Sequence, residues 1–138
     1  MTKEELKVGI IGCGRSNLEE QGRKGISHLH AQGYLDVGET RIVALADIVP
    51  EYAEAFRERF GGERIYTDYR EMLEKEALDV VSVCTWPHLH AEMVVAAAQA
   101  GIRAVHCEKP MATTYGDARR MVEACAEREA KEKASPAR

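Results

Sequence analysis

Apolar residues along this chain come in short runs separated by helical-period segments, and the alternation continues from Lys7 to Glu127. KVGII (7–11) is a compact apolar run that stops at glycine, as a buried strand does. Ile26, Leu29, His30 and Tyr34 then fall at near-helical spacing. TRIVALAD (40–47) is a second run, ending on Asp47. Pro50 opens a helix, where a first-turn proline loses no needed hydrogen bond, and Tyr52, Phe56 and Phe60 share one face before Gly61-Gly62 ends it. RIY (64–66) is a brief third strand, and Asp68 caps a helix presenting Tyr69, Met72 and Leu73.

DVVSVCT (79–85) is apolar on both faces, as a central parallel strand must be when helices cover both sides. HAEMVVAAAQAG (90–101) is a small-residue helix closed by Gly101, and IRAVHCE (102–108) is a fifth strand. Thr114 and Asp117 form a short capping box for a last helix expected to bury Ala118, Met121, Val122 and Cys125. Residues 1–127 thus make one domain, and the charged tail 128–138 is expected to fray. The fold class predicted is α/β: a doubly wound parallel sheet of five strands in the order 3-2-1-4-5, with helices on both faces. In that order the ends of strands 1 and 4 flank the switch point where ligands bind.

Composition narrows the partners. Net charge is −4, from 19 Lys and Arg against 23 Asp and Glu, so no basic surface argues for nucleic acid or anionic membrane. No apolar run has membrane-spanning length, and MTKEELKV lacks the apolar centre of a signal peptide. Cys13, Cys84, Cys107 and Cys125 contain no CxxC pair and read as reduced thiols of a cytoplasmic protein. Three of them sit near the ends of neighbouring strands, but their spacing has no zinc-site pattern, and no metal ligands are assigned.

Four segments should meet at the switch point. In the first, Gly12 permits a tight turn and Gly14 allows backbone to approach a pyrophosphate at the next helix N-terminus. A dinucleotide fingerprint wants a third glycine at position 17, where this chain has Asn17, so the turn reads as enlarged. The spacing from Gly14 to Asp47 also exceeds the roughly 20 residues expected. An insertion within RSNLEEQGRKG accounts for much of that excess. Glu19 and Glu20 oppose an anionic ligand if they face it; if they swing out, Arg15, Arg23 or Lys24 helps instead; the alternative is a surface loop without a role. The second segment is Asp47, which accepts from ribose hydroxyls and repels a 2′-phosphate, or else serves as a helix cap or a solvated loop acid. CTWPHLH and CEKPMATT complete the set.

These residues resemble the N-terminal domain of the glucose-fructose oxidoreductase / inositol dehydrogenase / rhizopine-catabolism (Gfo/Idh/MocA) family. The resemblance rests on VGIIGCGR, VALAD and the stretch from YTDYREMLEKEALDVVSVCTWPHLH through CEKPMATT, in that order. It implies an NAD(P) site, with NAD favoured over NADP. Gly12, Gly14 and Arg15 would lie at the pyrophosphate, Asp47 at the ribose, and Thr85, Trp86, Pro87, His90, Glu108 and Pro110 along the cofactor. Trp86-Pro87 stands where many relatives have Pro-Asn. Lys109 of Glu-Lys-Pro would be the catalytic residue, binding the reacting hydroxyl of a sugar or polyol and moving its proton during hydride transfer. The bond before Pro110 is expected to be cis.

Relatives of this kind continue into a sixth strand and an α/β substrate domain. The resemblance therefore implies that these residues carry half an active site and are not competent alone. The fifth strand's free edge would favour self-association or a partner. The alternatives are a non-catalytic nucleotide-binding or sensing module and a domain completed in trans.

Overall fold

The computed structural model describes residues 5–14 and 25–134. Five parallel strands form one sheet: β1 (Leu6–Ile11), β2 (Thr40–Ala46), β3 (Arg64–Tyr66), β4 (Val80–Val83) and β5 (Ala104–Cys107). They lie in the order β3-β2-β1-β4-β5, as the alternating pattern predicts. The helices are α1 (Ile26–Val37), α2 (Pro50–Phe60), α3 (Tyr69–Lys75), α4 (Pro87–Gln99) and α5 (Tyr115–Ala134).

Two apolar clusters bracket the sheet. Val8, Ile10, Ile42 and Leu45 meet Ala31 of α1 and Ala53, Phe56 and Phe60 of α2. On the other face Ile11, Val43, Val81 and Val83 meet Met72, Met93, Val94 and Met121. Strands covered on both sides need apolar residues at every position, and the interior positions of β1, β2 and β4 are buried accordingly.

Local rules explain the ends. Pro50 and Pro87 open α2 and α4, and the Gly61 N–H returns to the Arg57 carbonyl at 3.0 Å. Asp68 accepts from the Arg70 amide at 2.9 Å. Starting at Pro87 puts α4 three residues earlier than expected.

Several expectations are corrected. The face of α1 that enters the core is Ser27, His30 and Ala31, while Leu29 is half exposed. Of the four residues assigned to the core face of α5, only Met121 is buried; Ala118 is half-buried, and Val122 and Cys125 are exposed. The Thr114 hydroxyl accepts from the Asp117 amide at 3.1 Å, but the Asp117 carboxylate turns to Arg120, so half of a capping box forms. The fray expected from residue 128 does not begin there. The Arg128 guanidinium donates to the Gly101 carbonyl at 3.2 Å and pairs with Glu132, and Lys133 pairs with Glu129 one turn back. These ties extend α5 to Ala134.

Candidate functional site

The carboxyl ends of β1, β2, β4 and β5 define the crevice. The Gly12 amide donates to the Ala46 carbonyl and the Cys84 amide to the Ile11 carbonyl, each at 2.8 Å, so the turn after β1 is bound to both neighbours. Gly12 has φ +88°, and a Cβ there would lie 2.8 Å from the Cys84 carbonyl oxygen. Gly14 has φ +73°, and its Cβ would lie 3.2 Å from Ser27 Oγ. Only glycine fits such a turn without strain.

That turn leads to the N-terminus of α1, whose first-turn amides have no helical acceptors. The first turns of α2 and α3 hold Glu51 and Glu71, whereas that of α1 holds no acid to satisfy its positive end. Ser27 is 1% exposed, and its hydroxyl has no hydrogen-bond partner among the described residues. An orphaned hydroxyl beside a glycine cradle and a helix N-terminus fits a phosphate-bearing ligand. Arg15, also assigned to this site, lies outside the described residues, as do Glu19, Glu20, Arg23 and Lys24.

Asp47 follows β2. Its Oδ2 accepts from the Cys13 amide at 2.9 Å and its Oδ1 from the Val49 amide at 2.8 Å. The N-cap of α2 is Val49, so Asp47 pins the glycine turn instead of capping that helix. Each oxygen keeps an acceptor site for a further donor.

Thr85 packs against the turn, but its hydroxyl donates to Met93 Sδ at 3.1 Å and so faces the core. Trp86 is 68% exposed at the start of α4, with Pro87 at the first helical position. His90 is fully buried: Nδ1 lies 2.9 Å from the Pro110 carbonyl and Nε2 3.0 Å from the Thr85 carbonyl. It therefore ties the loop after β4 to the loop after β5. Lys109 is exposed, and the Lys109–Pro110 bond is cis.

Glu108 has a partner that the sequence did not predict. Its carboxylate turns to α1, where Oε2 meets His30 Nε2 at 2.8 Å. His30 Nδ1 lies 2.9 Å from Ser82 Oγ, and the Tyr34 hydroxyl lies 2.6 Å from the same oxygen. The His106 ring stacks on His30 with centroids 3.9 Å apart. The bond from His30 holds the Glu108 carboxyl below the usual carboxylate range, while burial lowers His106. Sequence reasoning missed this group, although Ser82 in an otherwise apolar central strand was the available sign that a polar partner must come from a helix.

Burial pushes the Cys13 and Cys84 thiols far up and Cys107 to about 11, which makes them neutral packing groups. Among the described residues no group of three or more His, Cys, Asp or Glu is placed to hold a metal ion. A cavity of about 100 Å³ lies behind the glycine turn, bounded by Cys13, Gly14, His28, Tyr52 and Phe56. A larger one of about 290 Å³ lies away from the crevice, between β5 and α5.

Residues 6–133 match the model of the oxidoreductase family with an NAD-binding Rossmann fold, GFO_IDH_MocA. The chain is 41% identical over 124 residues to D-apiose dehydrogenase of Paraburkholderia graminis, covering 90% of this chain and 30% of that protein. It is 30% identical to myo-inositol 2-dehydrogenase of Thermotoga maritima, covering 86% of this chain and 32% of the relative. Among solved structures, the WlbA dehydrogenase of Bordetella pertussis, in complex with NADH and UDP-GlcNAcA, matches with TM-score 0.79 and 32% identity over 91% of this chain and 35% of that one. The chain thus spans about a third of the length of the relatives it matches. All three are named for dehydrogenase chemistry, and nothing in these likenesses supports the non-catalytic sensing module. On the match of its sequence and the agreement of its fold, this chain belongs to the Gfo/Idh/MocA oxidoreductase family, of which it carries the NAD-binding Rossmann domain.

Proposed function

We propose that the crevice binds NAD in preference to NADP and serves hydride transfer at a carbinol carbon of a sugar or polyol once a substrate-binding region is supplied. The observation that carries this reading is the meeting of the Gly12–Gly14 cradle, the orphaned Ser27 hydroxyl and the pinned Asp47 carboxylate at one sheet switch point.

The first-turn amides of α1 and the Ser27 hydroxyl would hold the pyrophosphate. Asp47, anchored by two amides and still able to accept, would take the ribose hydroxyls and disfavour a 2′-phosphate. Trp86 would cover one side of the crevice with its exposed indole. The bound nicotinamide supplies the hydride donor or acceptor. Lys109 would bind the reacting oxygen and carry its proton. Alone, the chain would bind cofactor with little or no turnover. The outer edge of β5 pairs with no other strand of the sheet, which supports its completion by a second copy or a partner.

Trp86 is the sole tryptophan, so NADH titration can be followed by energy transfer from its indole. Calorimetry with NAD⁺ and NADP⁺ provides the selectivity. The expected result is saturable quenching by NADH, with affinity for NADP⁺ lower by about tenfold or more. Asp47→Ala should narrow that gap. Absence of binding at millimolar NADH would overturn the reading.

A further inference from the structure

Lys109 is exposed, and the residues on either side of it are each tied to another element. Pro110 is tied through its carbonyl to the buried His90. Glu108 continues the sheet, its amide donating to the Val83 carbonyl at 3.0 Å, and the backbone N–H of Lys109 helps His30 hold the Glu108 carboxyl below the usual carboxylate range. That carboxylate is in turn held by His30 from α1.

Donor and acceptor capacities order the contacts. A carboxylate only accepts, so His30 Nε2 carries the proton and donates to Glu108. Nδ1 meets the Ser82 hydroxyl, which in turn meets the Tyr34 hydroxyl. The contacts run unbroken from Tyr34 through Ser82 and His30 to Glu108. Three elements are locked together at the residue preceding Lys109: α1, β4 and the end of β5.

We infer that His30 is a positioning residue for Lys109: through Glu108 it fixes the backbone at the lysine. Ser27 and His30 stand one turn apart on the buried face of α1. The helix whose N-terminus faces the phosphate site thereby also sets the lysine segment. The functional meaning rests on the role proposed for Lys109 above, but the positioning itself is measurable without turnover. The other titratable groups around Glu108 are His106 of β5 and the thiols of Cys84 and Cys107.

The test uses the ¹⁵N-labelled 138-residue chain with His30→Ala and His30→Gln, since a glutamine amide can both accept from Ser82 and donate to Glu108. Amide exchange is measured at Lys109, with Val81 and Val83 of β4 as references. His30→Ala should speed exchange at Lys109 by about tenfold, the loss of one charge-assisted bond, and leave the β4 amides unchanged. His30→Gln should restore most of the protection. In wild type, acid titration should move the Lys109 amide shift with the Glu108 carboxyl, at a midpoint that rises in His30→Ala.

Unchanged exchange at Lys109 in His30→Ala would overturn the inference. So would an increase shared equally by Val81 and Val83, or failure of the glutamine to restore protection. If His30→Ala does not fold, the wild-type titration still decides, because a Lys109 amide blind to the Glu108 carboxyl removes the link. NADH titration through Trp86 separates the two proposals. Binding without an exchange effect rejects the positioning alone, and an exchange effect without binding rejects the cofactor reading alone.

Discussion

At one edge of the sheet, β3 contributes only Arg64–Tyr66, and its polar groups are gathered by Glu76 at the end of α3. That carboxylate accepts from Arg64 Nη2 at 2.6 Å and from the Tyr66 hydroxyl at 2.5 Å, while Arg41 pairs with the neighbouring Glu63. Short length and charge are the usual ways a sheet edge is closed to further strands. At the other edge, β5 alternates exposed and half-buried residues, and α5 buries one side chain of its twenty residues, Met121. The contrast teaches that the β3 edge is closed by charge, whereas the β5 edge carries no comparable cluster among the described residues. The β5 edge adjoins the Glu108–Pro110 segment.

Met121→Ala is the most severe test of that contrast. Met121 is 2% exposed and is the only buried anchor of α5, so its truncation should cost about 2–5 kcal/mol in urea unfolding. If α5 is as weakly held as its exposed faces suggest, the variant should also be cut by protease within Tyr115–Ala134 before the sheet unfolds. A loss below about 1 kcal/mol would mean that α5 is held by its ion pairs instead, and the two edges would then be alike.

Glu76→Gln probes the closed edge, with a smaller effect. The Arg64 guanidinium holds the Glu76 carboxyl below its ordinary value, helped by Tyr66. A carboxyl lowered in the fold contributes stability above its unfolded value and loses it as pH falls through the lowered one. Wild type should therefore lose stability on acidification below about pH 4.5, the ordinary carboxyl value, more steeply than Glu76→Gln. The difference at neutral pH should be about 1 kcal/mol or less, because Arg64 is half exposed. Parallel acid-unfolding curves for the two proteins would show that the Glu76 cluster does not hold β3.

The same contrast explains what could be read from the sequence. The interior was legible because β1, β2 and β4 are covered on both sides, so apolar runs mark them directly, and parallel strands separated by helices fix their order. Gly12, Gly14 and Asp47 were legible because turn geometry and strand ends dictate residue type. The face of α5 was not, since Val122 and Cys125 look like core residues and become so only if something packs on them. The His30–Ser82–Glu108 group was hidden for another reason. Its members lie 52 and 78 residues from His30, and a pattern of period two or four cannot connect them. The burial of His90 between two loop carbonyls was hidden in the same way, because Pro110 lies 20 residues from it.

Ala104→Lys addresses the open edge more directly. Ala104 is exposed on β5, and lysine on an edge strand opposes the approach of another strand. Stability should change by no more than about 0.5 kcal/mol, while any concentration-dependent association in sedimentation should weaken. Association that is present and unaffected by the lysine would move the contact away from β5.

The smallest effect carries a sharp distinction. Val122→Ala and Cys125→Ser alter side chains that are exposed on α5, so each should shift unfolding by less than about 0.5 kcal/mol at every protein concentration. If another chain covers this face in solution, Val122→Ala would instead lose about 0.5–1.5 kcal/mol, as a buried methyl-scale truncation does. That loss would grow with protein concentration, because association stabilises the folded state by mass action. A flat response leaves β5 and α5 bare in the isolated domain. A concentration-dependent one identifies them as the surface on which the domain is completed.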